Sequence, residues 1–287
     1  MRLANINGRA ALVTAAPHHA VDIADASDGR FGPSPQSVYD DWDTFVTWAS
    51  SAALDNGVPV DLAELGPPVP APSQIFAIGL NYRDHAAESG LAVPDTPTTL
   101  FTKWVSCLSG PVSQVELPRG GHTDWEVELV LVIGRPAHSV SAMHAWHHVA
   151  GVMVGQDISE RKLQQAGPAP QFSLAKSLPG FGPTGPWVIT TDELENPDDL
   201  LLECTLNGKT MQHGRTSDLV YSVPQLVSSL SDLVPLAPGD LIFTGTPAGV
   251  GLGRTPPHWI QDGDLLVSRI EGVGELRQTF VAAPAAN

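Results

Sequence analysis

Apolar residues along this chain gather in short runs, alternating or nearly continuous, separated by Gly and Pro. Successive strand side chains point to opposite faces, so such runs read as strands with one or both faces buried. On that pattern three strands are expected near the N-terminus, at Arg2–Ile6, 10–14 and 20–23. More are expected at 75–79, 100–103, 126–133, 152–157, 187–190, Leu201–Leu206, 241–244, Leu265–Ile270 and 274–280. Helical periodicity is confined to fewer segments. Trp42, Phe45, Val46 and Trp48 mark one face of a helix near 39–54, and residues 81–88 form a polar helix stopped by Gly90. Helices are also expected over 141–150 and 223–230. Strands outnumber helices, which predicts a mixed or antiparallel β-rich core of the α+β class.

The stretch Pro67-Pro68-Val69-Pro70-Ala71-Pro72 is a stiff connector, because proline fixes φ and removes backbone donors. It divides the chain into an expected small N-terminal α+β domain, 1–70, and a main domain, 71–287. At 287 residues the chain is long enough to bury a large core. Its 31 acidic against 15 basic residues give a formal net charge of -16, which argues against nucleic acid or an anionic membrane as partner and favours small molecules or cations. Cys107 and Cys204 are too few for a disulfide framework or a thiolate metal site. No apolar run reaches the ~18 residues of a spanning helix, and the first residues lack a secretory apolar core, so a cytoplasmic protein is expected.

Against this background the run Trp125-Glu126-Val127-Glu128-Leu129-Val130-Leu131-Val132-Ile133 stands out. Glu126 and Glu128 share one strand face, which is either a solvated face with its charges pointing at water or a buried one, where two adjacent carboxylates need a counter-charge or a proton. Oxygen-only ligation suits Mg²⁺, Mn²⁺ or Ca²⁺. Asp157, at the end of another apolar run, is either a third carboxylate for such an ion or the cap of a helix over 158–165. His85 and Glu88, three apart on a helix, form either a general-base pair or an ordinary surface pair. Lys176 stands in an apolar, then turn-rich stretch; it is either a surface lysine or an ammonium that polarises a carbonyl or holds a carboxylate. The glycine-rich segment 244–253 offers backbone amides to an anionic ligand, or is a plain tight loop. No Gly-x-Ser-x-Gly elbow, Walker loop or His-Glu-x-x-His motif occurs, and His144 and His148 read as surface or packing histidines.

In this order the segments resemble the fumarylacetoacetate hydrolase superfamily over roughly residues 73–280. The resemblance rests on Ile78-Gly79-Leu80-Asn81-Tyr82 with His85 and Glu88, on Asp124-Trp125-Glu126-Val127-Glu128-Leu129, on Gln156-Asp157-Ile158-Ser159, on Lys176-Ser177, and on Pro238-Gly239-Asp240 followed by Thr244-Gly245-Thr246-Pro247-Ala248-Gly249-Val250-Gly251. It implies the family's mixed-sheet roll or barrel, a Mg²⁺ or Mn²⁺ held by Glu126, Glu128 and Asp157 with Ca²⁺ as a stand-in in crystals, a water-activating His85–Glu88 dyad on a lid helix, and Lys176 beside the substrate. Substrate contacts are implied for Tyr82, Arg161, Gln164, Gly245 and Thr246, and a homodimer for the assembly. Two departures stand in this chain: Lys162 where the family usually has aspartate, and Leu178-Pro179-Gly180 where Lys-Ser-x-Asp-x-Phe is commoner. The implied activity is metal-dependent C–C hydrolysis of an acylpyruvate-like 2-oxo acid, such as fumarylpyruvate or acetylpyruvate. Decarboxylation of an oxaloacetate-type acid, isomerisation of a hydroxyheptadienedioate-type acid, and a non-catalytic scaffold are the alternatives. Substrate identity is expected to depend on residues 93–97 and 165–172.

Overall fold

The computed structural model of the chain describes residues 1–14, 18–52, 54, 57–90, 92–93, 95–96 and 99–284. Pro94 and Pro97 of the expected specificity segment, and Ala53 near the end of the expected first helix, lie outside the described residues.

The strand Val127–Ile133 is buried along its whole length and organises the rest. Its side chains alternate between two cores. Val127, Leu129, Leu131 and Ile133 pack into one, with Leu202, Leu266, Leu276 and Phe280 of a second sheet and Leu226, Val227 and Leu230 of the helix Val223–Leu233. Val130 and Val132 point the other way, into a core with Leu3, Tyr39, Trp42 and Phe45. Period-2 alternation thus serves both faces, which is why this segment is apolar almost without a break.

The large sheet runs Val58–Pro59, His19–Asp22, Arg9–Val13, Arg2–Ile6, Gly182–Ile189, Val149–Gln156, Val127–Ile133, Leu241–Phe243, Ile75–Ile78, Leu100–Thr102. Its pairs are antiparallel except Leu241–Phe243 with Ile75–Ile78, and Leu108–Ser109 with the start of Gly182–Ile189. A five-stranded sheet, Lys209–Arg215, Leu201–Leu206, Leu265–Ile270, Gly274–Ala282 and Val112–Leu117, covers one face. Its last pair is parallel. This is the expected strand-rich α+β architecture of mixed sheets.

Residues 1–66 join the large sheet directly. Arg2 pairs with Ile189 and Leu3 with Val188, and the aromatic cluster of Phe31, Tyr39, Trp42, Phe45 and Trp48 packs beneath. The helix expected near 39–54 is shorter, Trp42–Ala49, capped by Asp41, whose side chain accepts from the Thr44 amide at 3.3 Å. The helix expected over 141–150 is a 3-10 turn, Ala142–His144, and one α-turn, Ala145–His148, because Val149 already enters a fully buried strand. No helix among the described residues is long and apolar enough to cross a membrane.

Candidate active site

Antiparallel pairing creates the site. Val127 lies opposite Gln156 and Glu128 opposite Gly155, so the start of one strand meets the end of the other. The Asp157 amide then donates to the Glu126 carbonyl at 2.9 Å, one step past the ladder. Carboxylate oxygens of Glu126, Glu128 and Asp157 consequently lie within 4.8 Å of one another, all three residues buried. Of the two roles open to Asp157, the cap is filled by another residue: the helix begins at Arg161, and its cap is Glu160, which accepts from the Lys162 amide at 3.1 Å.

Three buried cations neutralise most of this charge. Lys176 Nζ lies 2.6 Å from Glu126 Oε2 and 2.6 Å from Asp157 Oδ2. Lys103 Nζ lies 2.7 Å from Asp157 Oδ1 and also donates to the carbonyls of Lys176 and Phe181. Arg161 spans Glu126 Oε1 at 2.6 Å and Asp124 Oδ2 at 2.8 Å, and donates to Gln164 Oε1 at 2.9 Å. Four carboxylates, Asp124, Glu126, Glu128 and Asp157, therefore face three cations, one positive charge short.

The shortfall falls on Glu128. Among the described residues its carboxylate accepts only the Gly245 amide, at 2.7 Å. Burial first, then Asp157 and Glu126, push its pKa well above the ordinary carboxylate range. Burial also raises Glu126, but Lys176 and Arg161 outweigh it and hold that carboxyl down to about 2. Burial disfavours the Lys176 ammonium, yet Asp157 and Glu126 outweigh it and keep its pKa raised. Three clustered oxygen donors with an unmatched negative charge fit a hard divalent cation. Glu126, Glu128 and Asp157 are the residues that could hold it.

Above the cluster the helix Arg83–Glu88 carries the candidate base. His85 Nδ1 lies 3.5 Å from Glu88 Oε2, and the Gly249 amide donates to both Glu88 oxygens at 3.1 Å. Burial pushes Glu88 up, but the bonds from His85 and Gly249 bring it below its usual value. Asn81 anchors the other end of the helix through the Thr244 carbonyl at 2.8 Å and the Tyr221 amide at 2.8 Å. A cavity of ≈ 480 Å³ opens between this helix and the carboxylates, and His85, Glu88, Glu126, Glu128, Arg161, Gln164, Lys176 and Thr246 all line it. Tyr82 does not; it is fully buried, without a hydrogen-bond partner for its hydroxyl among the described residues. Gly245 also lies off the wall, its amide occupied by Glu128.

The glycine-rich segment 244–253 binds anions, but the anions are the protein's own. Its amides serve Glu128 from Gly245, Glu88 from Gly249, and Asp124 from Gly251 at 2.6 Å and Leu252 at 3.0 Å. Gly249 has φ +109, and a Cβ there or on Gly251 would collide with the carbonyls of Met211 and His258. Thr246 Oγ1 donates to the Val127 carbonyl at 2.9 Å.

Sequence reasoning did not single out Lys103, Asp124, Gln156 or Gln212. Gln212 Oε1 accepts from the Val127 amide at 3.0 Å, and Gln156 Oε1 from the Glu126 amide at 2.8 Å, so two buried amides hold the carboxylate-bearing backbone. The available signal was weak: Lys103 follows a short strand as Asp157 follows a long one, and Asp124 stands two residues before Glu126.

Known proteins share this arrangement of elements. The fumarylacetoacetate (FAA) hydrolase C-terminal family matches residues 74–281. A 2,4-didehydro-3-deoxy-L-rhamnonate hydrolase of Sphingomonas sp. (strain SKA58) is 44% identical over 215 residues, 74% of this chain and 75% of that protein. A solved structure assigned as an HpcE protein of Mycobacterium smegmatis superposes with a TM-score of 0.94 at 55% identity, over 99% of this chain and 100% of that one. Maleylpyruvate hydrolase from Sphingobium sp. SYK-6, solved in complex with manganese(II) ion and pyruvate, superposes with a TM-score of 0.78 at 28% identity, over 99% and 100% of the two chains. With the match spanning both the carboxylate strands and the His85 helix, this chain belongs to the fumarylacetoacetate hydrolase superfamily of enzymes.

Proposed function

We propose that this protein is a divalent-cation-dependent hydrolase that cleaves a carbon–carbon bond of a 2,4-dioxo acid, an acylpyruvate. One observation carries the reading: the His85–Glu88 pair lines the same cavity as Glu126 and Glu128, and Asp157, off the wall, completes behind them a three-carboxylate cluster lacking one positive charge. The similar Sphingomonas protein is named a hydrolase, and the similar Sphingobium structure holds manganese and pyruvate, which supports the choice of cation and of the 2-oxo acid end.

Glu126, Glu128 and Asp157 would hold Mg²⁺ or Mn²⁺, which when bound would supply a Lewis acid for the negative charge that develops as the bond breaks. His85, with Nδ1 turned to Glu88, uses Nε2 to take a proton from water. Glu88 fixes the ring and stabilises the imidazolium that results. Hydroxide adds to the C4 carbonyl, the C3–C4 bond breaks, and its electron pair leaves with the three-carbon fragment. His85 returns its proton to that fragment, giving pyruvate, while the acyl fragment departs as a carboxylic acid. Arg161 and Lys176 place positive charge on the wall beside the substrate's carboxylate end.

The test is loss of ultraviolet absorbance of 2,4-dioxopentanoate with and without Mn²⁺, in the native protein and in His85→Ala. Turnover that needs Mn²⁺ and falls about 100-fold or more in the variant, with calorimetric Mn²⁺ uptake retained, is the expected result. Undiminished turnover in the variant removes the dyad from the reaction.

A further inference from the structure

The cavity has two chemically different ends. Its charged lining residues, His85, Glu88, Glu126, Glu128, Arg161 and Lys176, all belong to the carboxylate cluster or the helix above it. The lysine and arginine of the lining are committed there: Arg161 to Asp124 and Glu126, Lys176 to Glu126 and Asp157. The outer wall is built from Leu80, Thr99, Phe101, Pro170, Phe172 and Leu252, and the charged end reaches its edge where Lys176 Nζ lies 5.1 Å from the centre of the Phe101 ring. Phe101 and Phe172 pack ring to ring with centroids 5.6 Å apart, making one apolar side.

The segments that carry this outer wall hold no countercharge for an anion. Residues 89–102 and 165–175 contain no Lys, Arg or His at any position, and the only ionisable side chain in them is the acid Asp95. Residues 246–253 contain none either. The next basic residue, Arg254, is used elsewhere: its guanidinium donates to the carbonyls of Met211 and Gly249 at 2.9 Å each and lies over the Trp125 ring. Arg83 is exposed and off the wall.

A second carboxylate placed at this end would lose water against aromatic and prolyl surface, and the one lining cation that reaches it, Lys176, is already shared by Glu126 and Asp157. An uncharged end instead gains apolar burial, with Thr99, Gln164 and Gln165 available for a hydroxyl or carbonyl. Building on the hydrolytic reading above, we infer that the substrate carries a single carboxylate, at its 2-oxo end, and that its far end is an uncharged acyl group: alkyl, aryl or hydroxyalkyl. The outer wall selects by exclusion, leaving an anion unpaired rather than supplying a contact only the right substrate can make.

A matched pair of substrates tests this. With Mn²⁺ present, kcat/KM is measured for 2,4-dioxoheptanedioate and for the analogue whose distal carboxylate is a primary amide of the same size. The amide should be preferred by about tenfold or more. Equal rates, or a preference for the dicarboxylate, overturn the inference while leaving the hydrolytic reading intact. Binding separates the two claims when neither compound turns over: calorimetric Kd values for 2-oxopentanoate and 2-oxoglutarate on the Mn²⁺-loaded protein compare the same two ends without chemistry. Tighter binding of 2-oxopentanoate supports the uncharged end even if hydrolysis fails, and tighter binding of 2-oxoglutarate overturns it. In Gln165→Arg, an exposed wall position, kcat/KM for the dicarboxylate should rise about tenfold relative to the amide, and no rise overturns the placement of the far end at this wall.

Discussion

Gly253 packs so tightly against Glu88 that a Cβ built on the glycine would overlap the Glu88 carboxyl group. The same carboxylate is held by the Gly249 amide and faces His85. Gly253→Ala should therefore push Glu88 off the imidazole without touching the carboxylate cluster. We expect kcat to fall on the order of 10- to 100-fold with Mn²⁺ affinity unchanged. Steady-state kinetics beside calorimetry checks this, and an unaltered kcat would show that Glu88 does not orient His85.

Lys103 is fully buried and joins Asp157 to the Lys176 and Phe181 carbonyls. Lys103→Met keeps the length of the side chain but removes the ammonium, leaving Asp157 to Lys176 alone. Breaking a buried pair from one side costs about 3–5 kcal/mol, so the urea midpoint should drop by a corresponding amount. A midpoint equal to that of the native protein would mean that Lys103 is not needed to balance the buried carboxylates.

Glu128 has a raised pKa because burial and the charges of Asp157 and Glu126 favour its protonated form. A ligand carboxylate must lose that proton, so Mn²⁺ uptake through Glu128 should release it, and affinity should rise with pH. The slope should approach about tenfold per pH unit while Glu128 is still protonated in the free protein, and flatten above its pKa. Calorimetry in buffers of different ionisation enthalpy measures the released proton directly. Affinity independent of pH, with no proton release, would contradict the assignment.

Gln212 is buried and connects the Val127 amide to Thr246 Oγ1 and the Pro247 carbonyl, at 3.0, 2.7 and 2.8 Å. Gln212→Leu has nearly the same volume but abandons these partners. The expected loss is about 1–3 kcal/mol for each group left unpaired, read from urea denaturation. A neutral result would show that water takes over the role of the amide.

Much of the frame was legible in the chain itself, because a strand's alternation and a helix's spacing are set by residues a few positions apart. The buried run Val127–Ile133, the carboxylates Glu126, Glu128 and Asp157, and the three-residue step from His85 to Glu88 are all local patterns. Strands without such a pattern escaped: Lys209–Arg215 is largely polar, and Val112–Leu117 is mostly solvent-facing. Pairing was equally closed to local reading. Arg2–Ile6 reads as part of a small unit of its own, but it is hydrogen-bonded to Gly182–Ile189 across the sheet.

What the sequence determined by itself was which apolar strands carry charged side chains, and that any of those charges buried there must be neutralised. Only the tertiary structure decided which partners do so. Lys103 meets Asp157 across 54 positions, Lys176 meets Glu126 across 50, and Gly245 meets Glu128 across 117. Such contacts follow from sheet closure rather than from neighbouring residues, and the glycine-rich segment shows the consequence. Its composition left an anion-binding loop and a plain tight loop both open, and the choice and the identity of the anions depended on where three distant carboxylates came to rest.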